Sequence, residues 1–126
     1  MNTPKNLKYS DTHEWVEFLD DGIVKIGLTD YAQKKLGKLV FVNLPLVGDV
    51  IAIDEAFSDV ESVKAVSDVL APIDGTVVEI NEALLDAPGM INDDPYSAWL
   101  VKVTVISENG ELMDSGEYED FCAKEE

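Results

Sequence analysis

The feature that most constrains the fold of this 126-residue chain is the brevity of its apolar runs, which glycine, proline and aspartate repeatedly interrupt. Residues 40–44 form a run rich in β-branched and aromatic side chains, and residues 99–106 alternate with a period of two, as a strand does. No apolar stretch approaches the ~20 residues of a membrane-spanning helix. Many short strands between turn signals are typical of a sandwich or barrel of flattened sheets, so a mainly β fold is predicted.

Two runs near the start of the chain are predicted to pair as a β-hairpin. Residues 14–19 and 22–27 flank the sequence Asp-Asp-Gly at 20–22. An Asp-Gly pair between apolar runs supplies the positive φ angles of a tight turn. Further along, a turn at residues 71–75 is predicted to lead into a strand at 76–80.

Short helices are predicted between the strands. In the segment 29–37, Asp30 is positioned to cap a helix that Gly37 would end in a left-handed conformation. Asn81 is expected to cap one helical turn, and residues 92–95 are expected to form a solvated turn.

The end of the chain predicts an acidic C-terminal helix. Residues 114–117 resemble a capping box, after which Tyr118, Phe121 and Cys122 would lie on one side of the helix. Cys122 is the single cysteine, so no disulfide can form within the chain, and we expect it to be half-buried.

Length and charge limit the classes of function. The size suits one domain over residues 1–126, and the start of the chain lacks the features of a signal or transit peptide, so a cytoplasmic protein is expected. The 26 acidic and 9 basic residues give a formal charge of −17, and every basic residue is a lysine. Nucleic acid and anionic membranes are therefore poor partners, whereas proteins with basic docking surfaces are good ones.

One segment indicates chemistry. The tripeptide Ser-Asp-Val occurs at 58–60 and again at 67–69, and the repeat brackets Lys64. If Val63 and Lys64 are the central turn residues of a hairpin, positions 62, 61 and 59 face positions 65, 66 and 68, and Lys64 projects from the tip. The turn lacks glycine, asparagine and aspartate, so on these residues alone an ordinary exposed lysine between two edge strands is the simpler interpretation.

The neighbours of Lys64 distinguish two kinds of lysine chemistry. A Schiff-base lysine needs a lowered pKa, which desolvation or nearby cations provide. Asp59, Glu61 and Asp68 would instead favour the ammonium form. An exposed amine at a turn suits acylation by a separate enzyme, which removes the charge and lengthens the side chain into a tether.

The segment around Lys64 resembles the lipoyl-attachment segment of the glycine cleavage system H protein family, and the likeness extends along nearly the whole chain. The matching segments are 8–9, 13–16, 26–33, 36–37, 40–45, 61–68, 72–75 and 92–96.

The resemblance implies a barrel-sandwich hybrid of flattened antiparallel sheets with short helices and a C-terminal helix. It also implies that Lys64 carries lipoate in amide linkage, with Glu61, Ser62, Val63 and Ala65 as the context for modification. The chain would be a single lipoyl-carrier domain, a monomer with no catalytic residues of its own.

The resemblance further implies a set of partner enzymes. The lipoyl-lysine arm would shuttle the aminomethyl group of glycine from a pyridoxal-phosphate glycine decarboxylase to a folate-dependent aminomethyltransferase, and a dihydrolipoyl dehydrogenase would reoxidise it. A lipoate-attaching enzyme would modify the chain. The loaded arm would withdraw into a cleft whose matching positions include Thr12, Glu14 and Asp68, where carboxylates favour a charged amine.

Three positions depart from the pattern of the family. Asp54 and Ala98 stand in predicted loops where glycine is common, and they bear on turn shape more than on chemistry. Lys35 occupies a helix position where some relatives carry histidine.

Alternatives remain at this point. A protein that relays lipoyl groups to other lipoyl domains would have nearly the same sequence, and a stand-alone lysine-dependent enzyme belongs to a different class. A biotin carrier usually has methionines beside its lysine, where this chain has Val63 and Ala65. His13 is the only histidine and is expected to make ordinary hydrogen bonds, and one histidine with one cysteine does not indicate a zinc site.

Overall fold

The structure, a computed structural model, describes residues 2–107 and 111–125. Within these ranges the chain forms nine strands and four α-helices. The strands are β1 (Lys8–Tyr9), β2 (Glu14–Phe18), β3 (Ile23–Leu28), β4 (Leu39–Asn43), β5 (Val50–Ile51), β6 (Ala56–Ser62), β7 (Val66–Leu70), β8 (Asp74–Ile80) and β9 (Val101–Ser107). The helices are α1 (Asp30–Leu36), α2 (Ala83–Asp86), α3 (Met90–Asp93) and α4 (Ser115–Glu125).

The strands form two antiparallel sheets. The larger has six strands in the order β1-β2-β3-β9-β8-β5, and the smaller has three in the order β4-β6-β7. The main hydrophobic cluster contains Val24 and Val103 from the larger sheet together with Val42 and Val60 from the smaller one. The core therefore lies between the sheets, and the predicted mainly β fold of flattened sheets is confirmed.

The predicted hairpin at the start of the chain is also confirmed. Strands β2 and β3 pair from Glu14 opposite Leu28 to Phe18 opposite Val24. The connection contains a short 3-10 turn over Asp20–Gly22, in which Asp21 and Gly22 have φ angles of 63° and 71°. The Asp-Gly pair thus supplies the positive φ angles that the sequence predicts.

Helix α1 ends as predicted but is capped by a different residue. Gly37, with φ of 80°, closes the helix by donating its N–H to the Gln33 carbonyl. The prediction that Asp30 is the N-cap is wrong, because Thr29 Oγ1 accepts from the Ala32 N–H at 3.1 Å. Asp30 lies one residue inside the helix, where its carboxylate accepts from the Gln33 side chain instead.

Two short helices differ from the sequence-based expectation. Asn81 does not cap α2 with its side chain, which donates to the Trp99 carbonyl. The segment predicted as a solvated turn contains the end of α3, which buried Ile91 anchors in the core. Asn92 accepts from the Leu39 N–H and donates to the Gly37 carbonyl, so its amide joins α3 to the start of β4.

Helix α4 covers a second cluster of buried side chains. Its predicted capping box is confirmed, because Asp114 and Glu117 each accept from the other's backbone N–H. Tyr118 stacks on Tyr9 with ring centroids 4.6 Å apart. Cys122 is fully buried in this cluster rather than half-buried. The apolar interior of the described residues therefore has two parts.

The two departures in predicted loops have clear structural settings. Asp54 adopts a φ of 64°, the left-handed region where glycine is the usual residue. Ala98 is buried in the main hydrophobic cluster, so its methyl group contributes to packing. Among the described helices, none is long and apolar enough to span a membrane.

Gly75 is predicted from the structure to be intolerant of a side chain. It lies within β8, where the sequence suggested the end of a turn, and an added Cβ would lie 2.2 Å from Val103 Cγ1 and 2.6 Å from the Thr104 carbonyl oxygen. We expect Gly75→Ala to lower the free energy of unfolding by roughly 3 kcal/mol, because backbone cannot move aside as a side chain can. Urea denaturation measures the change.

The matched control is Gly89→Ala, since nothing lies within 4 Å of a Cβ at Gly89. Its stability should stay within about 0.5 kcal/mol of the unchanged chain. Equal effects of the two substitutions would contradict the packing of β8 against β9.

Candidate functional site

Lys64 lies at the tip of the hairpin that β6 and β7 form. Glu61 pairs with Val66, and the Ser62 N–H donates to the Ala65 carbonyl at 2.8 Å. Asp59 pairs with Asp68 in the same ladder. Val63 and Lys64 are therefore the two central residues of the turn, and the predicted register is confirmed.

The hydroxyl group of Ser62 organises this turn. Its Oγ accepts from the N–H of Lys64 at 3.2 Å and from that of Ala65 at 3.1 Å. A serine hydroxyl that accepts from the backbone N–H groups two and three residues ahead stabilises a turn that lacks the usual glycine or asparagine. Sequence reasoning missed this role, although a serine at the first position of the turn was the available signal.

The tip rests against the connection between α1 and β4. The Val63 N–H donates to the Lys38 carbonyl at 3.2 Å, and Lys64 Cε lies 3.5 Å from where a Cβ on Gly37 would stand. The Lys64 side chain is exposed. In the described part of the chain, no carboxylate forms an ion pair with its amine. The Lys64 side chain is therefore exposed on a backbone that is held on both sides.

A cleft of about 160 Å³ lies between the start of β2, α1 and the β6–β7 hairpin. Thr12, Glu14 and Asp68 all line it, so the structure brings together the three positions that the resemblance singled out. Half of its lining is apolar, contributed by Leu28, Tyr31, Ala32, Leu36, Val60 and Val69.

Glu14 is the most unusual ionisable group of the cleft. Its side chain is only 1% exposed, and Oε1 accepts from Ser10 Oγ at 2.7 Å and from Thr12 Oγ1 at 2.5 Å. Burial raises the pKa of Glu14 to about 7, against the lowering effect of these hydrogen bonds and one from the Leu70 backbone. Asp68, by contrast, is exposed at the edge of the cleft. Near neutral pH, Glu14 can therefore gain or lose a proton.

His13 also lines the cleft, which the sequence did not indicate. Its φ of 72° directs the chain from the turn at residues 10–13 into β2. The ring stacks on Tyr31 with centroids 4.6 Å apart. The Nδ1 atom lies 2.7 Å from the Tyr118 hydroxyl and Nε2 lies 2.7 Å from a Glu125 oxygen, so the expected hydrogen bonding is confirmed. Helix α4 thereby supports the residue next to Glu14.

Lys35 lies at the mouth of the same cleft. It is one of the lining residues, and its Nζ is 5.5 Å from the centre of the Tyr31 ring. Tyr31 and Ser67, like His13, are polar lining residues that sequence reasoning did not assign to the cleft. Among the described residues, no group of three or more histidine, cysteine, aspartate or glutamate side chains could hold a metal ion.

The similarity to known proteins extends over almost the entire chain. The family model described as glycine cleavage H-protein matches residues 7–125. The glycine cleavage system H protein of Lachnoclostridium phytofermentans is 58% identical over 125 residues, which are 99% of this chain and 98% of the relative. That of Bacillus licheniformis is 52% identical over 128 residues, 99% of this chain and 100% of the relative.

A solved structure has the same fold. The crystal structure of a glycine cleavage system H protein from Mycobacterium marinum superimposes with a TM-score of 0.88 at 41% identity. The match covers 93% of this chain and 96% of that one. The similarity therefore extends over most of both chains.

Glu14→Gln is expected to remove a pH-dependent loss of stability. The pKa of Glu14 rises from 4.5 to about 7 on folding, so its contribution to stability is complete below pH 4.5 and is lost as the pH rises through 7. Between pH 5 and pH 8, the free energy of unfolding should fall by about 2.5 kcal/mol more in the unchanged chain than in the variant. Urea titrations at both pH values measure this difference.

The matched substitution Glu82→Gln, at an exposed position, controls for loss of one negative charge. If the Glu14→Gln variant and the unchanged chain have parallel pH profiles, the raised pKa of Glu14 is contradicted.

Proposed function

The chain belongs to the glycine cleavage H-protein family and is a carrier component of the glycine cleavage system, and from this premise we propose that Lys64 carries lipoate in amide linkage. The observation that carries the proposal is an exposed amine, without an ion-pair partner among the described residues, at the centre of a two-residue turn. Such an amine is accessible to the active site of a modifying enzyme.

The turn is suited to this role because hydrogen bonds fix its backbone while the Lys64 side chain is exposed. Ser62 fixes the two N–H groups that follow Val63, and Lys38 fixes the N–H of Val63 itself. A rigid backbone presents the Lys64 amine at a constant position, and the flexible side chain lets it reach away from the surface. Glu61, Val63 and Ala65 complete the surface that a modifying enzyme meets.

The cleft fits an aliphatic chain that ends in a small cation. Leu28, Tyr31 and Val69 provide apolar wall, and Glu14 provides a buried acid. When attached, lipoate supplies the disulfide that accepts the aminomethyl group and is later regenerated by oxidation. Thr12 and Ser10 orient the Glu14 carboxyl group through their hydroxyl donors, and the apolar walls exclude water.

The pKa of Glu14 bears directly on how the cleft would hold a cation. A nearby positive charge favours the carboxylate, so an approaching ammonium group lowers the pKa from about 7 and the acid releases its proton. The hydrogen bond that then forms has two ionised partners and is stronger than a neutral one. Asp68, at the exposed edge of the cleft, adds a second negative charge.

The partner enzymes in this proposal are those of the glycine cleavage system. They are a pyridoxal-phosphate glycine decarboxylase, a folate-dependent aminomethyltransferase and a dihydrolipoyl dehydrogenase, with a separate lipoate-attaching enzyme. The formal charge of −17 supports docking to basic surfaces on these enzymes. We propose that the chain acts in the cytoplasm as a monomeric, non-catalytic domain.

Intact-mass measurement tests the attachment site. Chain purified from cells that contain the attaching enzyme and lipoate should carry one lipoyl-sized increment, and a Lys64→Arg variant should carry none, because arginine keeps the charge but is not acylated. Lys38→Arg, next to the tip, is the matched control and should be modified as fully as the unchanged chain. A lipoyl-sized mass increment on the Lys64→Arg variant would show that lipoate is attached at another residue.

Reconstitution with the three partner enzymes tests the carrier role separately. Glycine-dependent release of carbon dioxide should require the modified chain and should fall at least a hundredfold with Lys64→Arg. Unmodified chain alone should show no turnover. Turnover of a lysine-dependent reaction by unmodified chain would support an enzyme instead.

A further inference from the structure

The ring of His13 joins helix α4 to the cleft. Its Nε2 atom lies 2.7 Å from a carboxylate oxygen of Glu125, and its Nδ1 atom lies 2.7 Å from the Tyr118 hydroxyl. The ring stacks on Tyr31, and Phe121 of α4 approaches it with ring centroids 5.8 Å apart. Only 18% of the His13 side chain is exposed. The ring is therefore in contact with both α4 and the α1 wall of the cleft.

The Tyr118 hydroxyl group also links His13 to the start of α1. This hydroxyl is 2.7 Å from Thr29 Oγ1, the atom that caps α1 by accepting from the Ala32 N–H. The Thr29 N–H in turn donates to the His13 carbonyl at 3.2 Å. Because side-chain and main-chain bonds both connect His13 to the first turn of α1, a shift of His13 would move Tyr31 and Ala32. Both of these residues line the cleft.

The backbone of His13 connects it to the other wall of the cleft. His13 directly precedes Glu14, whose carboxyl group accepts from the hydroxyls of Ser10 and Thr12. The His13 φ of 72° is a conformation that residues with a side chain adopt at a cost, and it persists only where surrounding contacts hold it. The contacts of the ring with α4 and Tyr31 provide that support.

The cleft needs such a connection because its parts come from separate elements. Tyr31 on α1 forms part of the apolar wall, and Glu14 at the start of β2 supplies the acid. A gap of about 1 Å already forfeits up to half of a dispersion contact, so a bound chain is held well only if wall and acid keep a fixed separation. His13 is bonded to the element that carries Tyr31 and is the neighbour of Glu14.

We infer that His13 is a positioning residue whose ring, held by Tyr118 and Glu125, keeps the α1 wall and the buried acid at the separation that shelters the loaded arm. The inference rests on the proposed attachment of lipoate and on the proposed role of the cleft, and it adds which residue sets the geometry of that cleft. It also gives α4 a role at a site whose lining residues come from other elements.

Retention of the aminomethyl group by the modified chain tests this role. The chain is loaded by the glycine decarboxylase, separated from it and followed for release of formaldehyde and ammonium. Release consumes one water, breaks the carbon–sulfur bond and leaves a free thiol. Glu125→Ala and Tyr118→Phe should each release about fivefold faster, as expected for the loss of one hydrogen bond. His13→Asn tolerates the positive φ but lacks the ring, and it should release at least about tenfold faster.

A conservative variant and a matched control separate positioning from loss of charge. Glu125→Gln keeps a hydrogen-bonding group near His13 Nε2 and should hold release to within about twofold of the unchanged chain. Asp120→Ala removes a carboxylate from an exposed position of the same helix and should also stay within about twofold. Thermal unfolding of each variant checks that the fold is retained.

The unmodified chain provides a readout that does not depend on turnover. Binding of hexylammonium and of hexan-1-ol is followed by NMR of the methyl groups of Val60 and Val69 in the cleft. His13→Asn should weaken the binding of both ligands by a similar factor, because the wall is displaced. Glu14→Gln should weaken the binding of hexylammonium alone, because only the charged partner is lost.

Release at the unchanged rate from Glu125→Ala, Tyr118→Phe and His13→Asn would overturn the inference, as would equally fast release from Asp120→Ala. Weaker binding of hexylammonium alone in His13→Asn would overturn it as well, since that pattern indicates lost charge and not a displaced wall. Release from the unchanged chain as fast as from loaded free lipoamide would instead refute the proposed sheltering of the arm, and the inference would fail with it.

Discussion

The pairing of β6 with β7 determines where the reactive amine lies. Val60 faces the core and Glu61 faces outward, so a slip of one residue would turn a valine to solvent and a carboxylate inward. The register is therefore strongly specified by burial. Once it is set, only Val63 and Lys64 remain to cross between the strands, and the Ser62 hydroxyl group accepts from the N–H groups of Lys64 and Ala65. The position of Lys64 therefore follows from the burial of Val60 in the core, which specifies how β6 pairs with β7.

The cleft depends on a different kind of constraint, since its parts are distant in sequence. The start of β2 contributes Glu14, α1 contributes Tyr31 and β7 contributes Asp68. Helix α4 reaches His13 from more than a hundred residues away through Tyr118 and Glu125. Two carboxyl groups in one cleft consequently have different environments, one buried with a raised pKa and one exposed.

Local sequence patterns predicted the hairpins well, because the turn residues and the alternation of buried and exposed side chains indicate the same strands. Placing Val63 and Lys64 at the centre of a turn predicted the hairpin register. The resemblance led to Thr12, Glu14 and Asp68, which line one cleft although their role there stays a prediction. Thr29 and Asp30 are both competent caps one residue apart, and sequence cannot choose between them. The polar run that ends α3 predicts a turn from its composition. Hydrogen bonds from Asn92 to residues distant in sequence, which composition does not show, join the helix to the start of β4.

We propose that one of the nine lysines is singled out for modification by its place at a chain reversal. Fragmentation mass spectrometry of proteolytic peptides from chain isolated from its own cells tests this most directly. We expect a lipoyl group on the peptide that contains residues 58–69, localised to Lys64, and on no other lysine. A lipoyl group on any other peptide, or Lys64 found unmodified in cells whose other lipoyl proteins are modified, would contradict it.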